Sequence, residues 1–518
     1  MRPASRATAW IVALSLAGCG GDYWIGGARG QATGAGGAGS PGADGGHFDH
    51  VLDGDIVLRD ADTLDWSSRG TGTCRVLGNG HAIVSDGQWT GHVAIDGCTL
   101  DGLGTAAAPA MDLVTWGSGS LNVQNSTFVR SGGVRVTNQD DSTTTFSHNT
   151  IGADSLVALD PSVDASTPAF YAIGSSEAPK YFQGNTVLRS NAWFQSNGWQ
   201  IGGLSAGEGN VIAGVRGGIV LSGTGMRVQG NYVHVLHYDG AGDEAALSTL
   251  YDTTDALAEH NVLRGGSWVV RGFGGEFRYD AVLDVRSSAW LNQPFENTRI
   301  HHSVFFLCET PEVEIEAGVN LVNQRAVGIE IYENTFDGGG PAMAFSGPPV
   351  AIESGSFVSS LRSDLFVGFP LRRNDGGTAA IRPGVLEGTS PRPVRLGYAD
   401  YNAFFDPDAV PPHNYGVAVA GKTERVDDGF GAHDAHAGGP VDEQVDPGPL
   451  GVPGCFPWDD ADIIGRRVTV FQILSAIRAA YVPVNALVNA GDPADGPGSS
   501  IGAVGGGGTN DRFGTLSD

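Results

Sequence analysis

Lysine is nearly missing from this chain. Of 30 basic residues only Lys180 and Lys422 are lysines, and 57 acidic residues outweigh them for a formal net charge of −27. An acidic surface of this kind argues against nucleic acid as a partner and against nonspecific adhesion to anionic membranes. Cysteine is also scarce, with five residues in 518, so no dense disulfide framework holds the fold. Glycine is abundant at 80 residues, and hydrophobic residues make up 41%. Such a chain turns tightly yet can fill a core, which suits a β-solenoid better than a helical protein.

The order within the chain carries more than its composition. Between Cys98 and Asn402 one short phrase is written eleven times: an apolar residue, an outward polar residue, a turn residue, usually Asn, and two places later a large hydrophobe. Gln183-Gly184-Asn185-Thr186-Val187 and Tyr332-Glu333-Asn334-Thr335-Phe336 show it clearly. The reference slot holds Cys98, Ser126, Asn149, Asn185, Asn210, Asn231, Asn261, Ser303, Asn334, Asp364 and Asn402, at intervals of 21 to 42 residues. Bounded but unequal periods indicate a solenoid with insertions on some turns. Two places after the slot every residue is apolar, from Leu100 to Phe404; two places before it every residue is polar, from Asp96 to Asp400. Alternation of period two sets one side of each strand inside and the other in solvent. Asn suits the slot because its short amide tolerates left-handed angles at a corner and can hydrogen-bond from coil to coil.

These phrases resemble the repeat of the pectate-lyase-like superfamily over roughly residues 90 to 405. The resemblance implies an all-β fold, a right-handed parallel β-helix of about eleven or more coils. It does not extend to a reaction. The aspartate trio of polygalacturonases, the arginine-proline signature of pectate lyases and the motifs of pectin methylesterases are not found, and both lysines fall outside the strip that a lysine-dependent lyase would use.

The termini frame this rod. Arg2 and Arg6 precede an apolar run from Ala7 to Leu16, too short to cross a bilayer as a mature helix, which reads as a secretory signal over residues 1 to 18. Its ending, Leu16-Ala17-Gly18-Cys19, resembles a bacterial lipobox. That implies lipidation of Cys19 and, with Gly20 behind it, an exported outer-membrane lipoprotein whose body faces periplasm or medium. Residues 19 to 47, with Gly-Ala-Gly-Gly-Ala-Gly at 34 to 39, form a flexible tether, and the β-helix occupies 48 to 405. Residues 406 to 518 are cap and closing segment. There Thr469-Val470-Phe471-Gln472 has capping-box form, and Phe471, Leu474, Ile477 and Tyr481 recur at helical spacing. This helix is expected to cover an open end of the coil stack. Cys74 and Cys98, 24 residues apart, are expected to bridge neighbouring turns, leaving Cys308 with Cys455 as the remaining pair.

Chemistry is expected where outward residues of successive coils converge. Glu259, His301, Tyr332 and Arg362 stand in adjacent rows of the outward column, with Arg299 and Glu330 two residues upstream on the same faces. An acid, an imidazole, a phenol and a guanidinium about 4.8 Å apart would place a proton acceptor beside a cation able to neutralise a sugar carboxylate. Glu259 and Glu330, counted as two rows apart, would also suit an inverting hydrolase. The 42-residue interval after Asn261 reads as a loop over this strip, offering Trp268, Arg271 and Arg278 to a glycan. Asp239, Asp243 and Glu244 form an acidic loop able to hold Ca²⁺, without EF-hand spacing. The sequence thus points to a monomeric, lipid-anchored β-helix that binds an extracellular or cell-wall polysaccharide, and leaves open whether it also cleaves it as a lyase or hydrolase. A noncatalytic adhesin or structural rod is the alternative.

Overall fold

The computed structural model describes residues 48–68, 73–152, 154–155, 168–214, 217–235, 245–250, 252–284, 287–290, 295–308, 319–321, 326–339, 350–352, 357–367, 372–373, 380–381, 385–387, 395–396, 399–405, 418–419, 422–423, 449–482, 487, 490–495 and 499–504. The chain is a parallel β-helix. Each of the first ten coils gives a strand to each of three long sheets, and later coils contribute to the first and third. The first sheet has 14 strands, from His50–Val51 to Ala403–Phe405; the second has 10, from Ile56–Leu58 to Ser287–Trp290. The third, of 16 strands, starts at Leu64–Ser67 and reaches Phe357–Arg362 and Ala399–Asp400. Between strands, antiparallel pairing is confined to Arg372–Arg373 with Ala380–Ile381 and Ala418–Val419 with Lys422–Thr423 among the described residues; Thr105 and Ala108 form an isolated antiparallel bridge in a turn.

The alternation read from sequence becomes a core of stacked side chains. Phe128, Phe146 and Phe182 follow one another at ring separations of 5.8 and 5.6 Å, and Trp268, Phe305, Phe336 and Phe366 at 5.7, 4.8 and 5.0 Å. Offset aromatic stacking adds to the hydrophobic gain of their burial. Trp268 is therefore in the core, fully buried against Phe305 and Phe277.

The Asn slot is a continuous internal ladder. The Oδ1 of Asn185 accepts from the Asn149 N–H at 2.9 Å, and the Nδ2 of Asn185 donates to the Phe146 carbonyl at 2.9 Å. The same link recurs through Asn210, Asn231 and Asn261, passes through Asp280 and Ser303, and continues to Asn334, Asp364 and Asn402. The left-handed corner lies one residue earlier than expected. His148, His260, Tyr279, His302, Glu333, Ser363 and Tyr401 all have φ between 53° and 59°. Asn is selected at the slot for its amide, which satisfies two backbone groups at a buried bend.

Asp280 corrects the coil count. The 42-residue interval is not a loop but two coils, since Glu276–Arg278 pairs with both Leu257–Glu259 and Arg299–His301. The fixed offset fails once more at Asn210, where Ile201 rather than Gly207 pairs with Phe182 and Val228, because residues 203–209 intervene between strand and slot. Where Asp replaces Asn, the carboxyl must behave as an amide. Burial pushes Asp280 up to about 8, against hydrogen bonds from the Asn261 N–H and Nδ2 that pull it down. Burial likewise holds Asp364 well above the usual carboxylate range. Asp280 is therefore mainly protonated at pH 7, and the Oδ2 atoms of both residues have no hydrogen-bond partner among the described residues.

The C-terminal helix does not close an end of the stack. Helix α1 (Asp460–Ile464) and helix α2 (Val470–Ala480) lie along the outer side of the first sheet. Val470, Ile473, Leu474 and Ile477 pack with Val211, Tyr232, Val262, Ala281, Val304 and Phe306 in a second core. The expected capping box is formed, Thr469 Oγ1 accepting from the Gln472 N–H at 3.2 Å and Gln472 Oε1 from the Thr469 N–H at 2.9 Å. Both disulfides are present: Cys74–Cys98 joins neighbouring coils, and Cys308–Cys455 fastens the cap to the rod. Cys19 and the acidic loop with Asp239, Asp243 and Glu244 lie outside the described residues.

Candidate functional site

The outward face of the third sheet places its polar residues by strand register alone. One column runs Gln229, Glu259, Arg278, His301, Tyr332, Arg362 and Asp400; the column two residues upstream runs Arg227, Leu257, Glu276, Arg299, Glu330 and Ser360. The strip expected from sequence is real, but it contains an extra row, Glu276 and Arg278. Glu259 and Glu330 consequently stand three rows apart, about 14 Å between backbones, which is too far for the carboxylate pair of an inverting hydrolase.

Arg278 knits the extra row to its neighbours. Its Nε donates to Glu259 Oε2 and its Nη1 to Glu276 Oε1, each at 2.7 Å, while Arg299 Nη2 reaches Glu276 Oε2 at 2.8 Å. The other oxygen of Glu259 accepts from Gln229 Nε2. Glu259 is thus buried with both oxygens engaged, and serves to orient Arg278. Hydrogen bonding to His301 above all, then the Arg278 and Arg299 charges, hold Glu276 down at about 2 despite its burial. Arg299, 49% exposed, is the cation of this cluster most open to solvent.

His301 begins a buried relay. Its Nε2 meets Glu276 Oε1 at 3.2 Å, its Nδ1 meets His302 Nδ1 at 2.8 Å, and His302 Nε2 meets Glu333 Oε2 at 2.6 Å. Two ring nitrogens at that distance need a proton between them, and each Nε2 needs one toward its carboxylate. Burial pulls His301 down to about 4, opposed by its bond to Glu276, so His301 is neutral at pH 7. Neutral His301 then donates from Nε2 to Glu276 and accepts at Nδ1 from His302. The left-handed corner makes this possible, because it turns His302 and Glu333, neighbours of the outward residues, toward the same side.

Tyr332 is sandwiched in the next row. It stacks on His301 at 4.5 Å and 6°, with the Arg362 guanidinium 4.2 Å from its ring centre. Burial raises its hydroxyl well above the ordinary tyrosine range, so it remains a phenol and a proton donor. Arg362 is drawn aside by the closing segment: its Nε and Nη2 meet Asp495 Oδ1 at 2.9 and 2.5 Å. Burial pushes Asp495 up to about 6 against that pairing.

Of the residues singled out in the sequence, the strip brings together Glu259, Arg278, Arg299, His301, Glu330, Tyr332 and Arg362. It does not include Trp268, in the core, or Arg271, which is buried at the bend after the second-sheet strand Ser267–Val269 and bonds through its backbone to Thr249. Sequence reasoning missed His302, Glu333 and Asp495 as site residues. The residue just before the slot was read as a turn, yet in two adjacent rows it is His and Glu, a signal visible once those rows are aligned. Among the described residues no three His, Cys, Asp or Glu side chains gather as a metal site.

No protein-family model matches this chain, and no curated protein matches it. Among solved structures it is similar to a periplasmic alginate epimerase, AlgG, at 11% identity and a TM-score of 0.33, covering 71% of this chain and 77% of that one. It is also similar to a PL6 family alginate lyase, AlyGC, at 13% identity and a TM-score of 0.23, covering 71% of this chain and 50% of that one.

Proposed function

We propose that the outward face of the third sheet binds an acidic polysaccharide, with the carboxylate of a uronic acid forked by Arg299. The observation that carries this reading is a solvent-open guanidinium in an otherwise acidic chain, fixed by Glu276 within a strip of interlocked charges. Pre-ordered side chains lose little entropy when they receive a ligand. A lyase reading is favoured over a hydrolase by Tyr332, a phenol held protonated beside a neutral His301, and by the wide spacing of Glu259 and Glu330. In that reading Arg299 neutralises the uronate carboxylate, Glu330 in the next row takes the proton from the carbon beside that carboxylate, and Tyr332 protonates the leaving oxygen as its carbon–oxygen bond breaks and the carbon–carbon double bond forms. The His301–His302 pair and its two carboxylates keep the phenol's surroundings dry and fixed.

The chain is further read as exported and lipid-anchored at Cys19, with its two disulfides consistent with an oxidising compartment. Acyl labelling of the wild type, lost in Cys19→Ala, checks the anchor.

The functional test uses the full chain with alginate, polygalacturonate and neutral glucans, following binding, the ultraviolet absorbance of unsaturated products and new reducing ends together. Binding of uronate polymers alone, reduced at least tenfold by Arg299→Gln (about 1.4 kcal/mol), supports the reading. Absorbance and reducing ends rising together, and lost in Tyr332→Phe, establish the lyase. A chain that ignores every uronate polymer would return the face to a purely structural role.

A further inference from the structure

Resting on the reading above, we propose that Tyr181, Gln200 and Arg227 form a distal subsite for the same anionic polysaccharide, on the N-terminal side of the Glu276–Arg299 centre. Strand register puts Tyr181, Gln200, Arg227, Leu257, Glu276 and Arg299 in one outward column. Five rows separate Tyr181 from Arg299, a span of about 24 Å, room for several sugars in line.

Tyr181 is 38% exposed, one of three large hydrophobic side chains so open among the described residues. It stands mid-strand on a flat parallel face, where a ring can lie against the apolar face of a sugar while its hydroxyl stays wet. Toward the N-terminus the column continues as Thr145, Asn122, Ala94 and Asp65, with neither ring nor cation, so Tyr181 marks the end of the subsite. Arg227 is exposed, two rows from Tyr181 and three rows from Arg299. By contrast Arg278 and Arg362 are clasped by carboxylates. Two open guanidiniums aligned on the axis of a chain with net charge −27 complement a linear polyanion rather than a single small acid.

Gln200 ties the two parts together. Its Nε2 donates to Gln229 Oε1 at 2.6 Å, and Gln229 in turn donates to Glu259. One hydrogen-bonded strip therefore runs from Gln200 to Glu333, and its side chains are ordered before any ligand arrives. Past Tyr332 the strip offers less, because Asp495 holds Arg362, and the polymer's added contacts lie toward the N-terminal coils.

Titration calorimetry of the full chain with a uronic-acid disaccharide and octasaccharide tests this. Tyr181→Ala and Arg227→Gln should each weaken octasaccharide binding by about tenfold and leave the disaccharide unchanged, while Tyr181→Trp keeps octasaccharide affinity. Octasaccharide binding untouched by both changes but lost in Arg299→Gln would overturn the distal subsite and spare the centre. A wild type that binds neither oligosaccharide would overturn both. Circular dichroism of each variant guards against misfolding.

Discussion

Two buried residues, Asp280 and His301, give this protein opposite responses to pH. Asp280 is neutral inside the ladder, with its ionisation raised to about 8 from an ordinary 3.8. Between those values the unfolded chain has lost a proton that the folded chain keeps, so stability falls as pH rises from about 4 to about 8. His301 is lowered to about 4 from 6.5, so the unfolded chain gains a proton first and stability falls as pH drops through that window. Above pH 6.5 the His301 effect is absent and the Asp280 effect remains, until near pH 8 the Lys180 amine, lowered by burial to about 8, begins to oppose it. Melting temperatures from pH 6.5 to 7.5 should therefore decline in the wild type and less steeply in Asp280→Asn. An amide at position 280 supplies a donor of the kind Asn261 directs at the Val228 carbonyl at 2.9 Å, and leaving such a buried group unpaired costs about 1–3 kcal/mol. The ladder was legible in sequence because Asn recurs. Its Asp280 member was not, since a search keyed to Asn passes over a carboxyl that only burial turns into an amide equivalent.

At the scale of elements the cap is the informative case. Sequence periodicity located α2 and its Thr469 capping box correctly, yet placed the helix at an end of the rod. The missed signal is the residue just after the slot. It is Thr at 99, 127, 150 and 186, then Val211, Tyr232, Val262, Ala281 and Val304. An outward row that changes from hydroxyl to apolar needs a cover, and α1 and α2 supply it over those same coils. Polar links reinforce the apolar contact: Asp460 accepts from Tyr232 Oη at 2.6 Å and pairs with His234 at 2.9 Å, and Tyr481 Oη donates to Asp337 at 2.7 Å. The Cys308–Cys455 bridge closes a loop of 147 residues, worth about 5 kcal/mol in the chain-entropy account. Cys455→Ser should therefore separate cap from rod in denaturant: tryptophan fluorescence near Trp458 should change at lower urea than the far-ultraviolet signal of the sheets. Coincident transitions would mean that packing alone holds the cap.

The whole molecule was the easiest level to read and the easiest to miscount. A periodic phrase with one polar and one apolar column fixes a parallel solenoid, because each coil can bury its inner side only against the next. What escaped was the row Glu276–Arg278, hidden by its Asp, and with it the spacing of every residue across the site. The net charge of −27 sets a further expectation at this scale. A polyanion approaching this chain is repelled at long range and held by arginines only at contact. Raising salt from about 10 to about 150 mM shortens the screening length from about 30 to about 8 Å, so the association rate of an oligouronate should increase before contact losses set in. Stopped-flow rates that only fall with salt would contradict it. The cap also governs how the rod meets force. Arg466 donates to the carbonyls of Gly184, Asn185 and Gly209, and the closing segment bonds to Thr335 and Ser363, so the cap lies across the coils between them like a splint. Tension on the N-terminus first meets the pair of coils locked by Cys74–Cys98, then strips single coils as far as Asn149. At Asn185 peeling must stop, since the next coil can leave only if the splint is torn away with it.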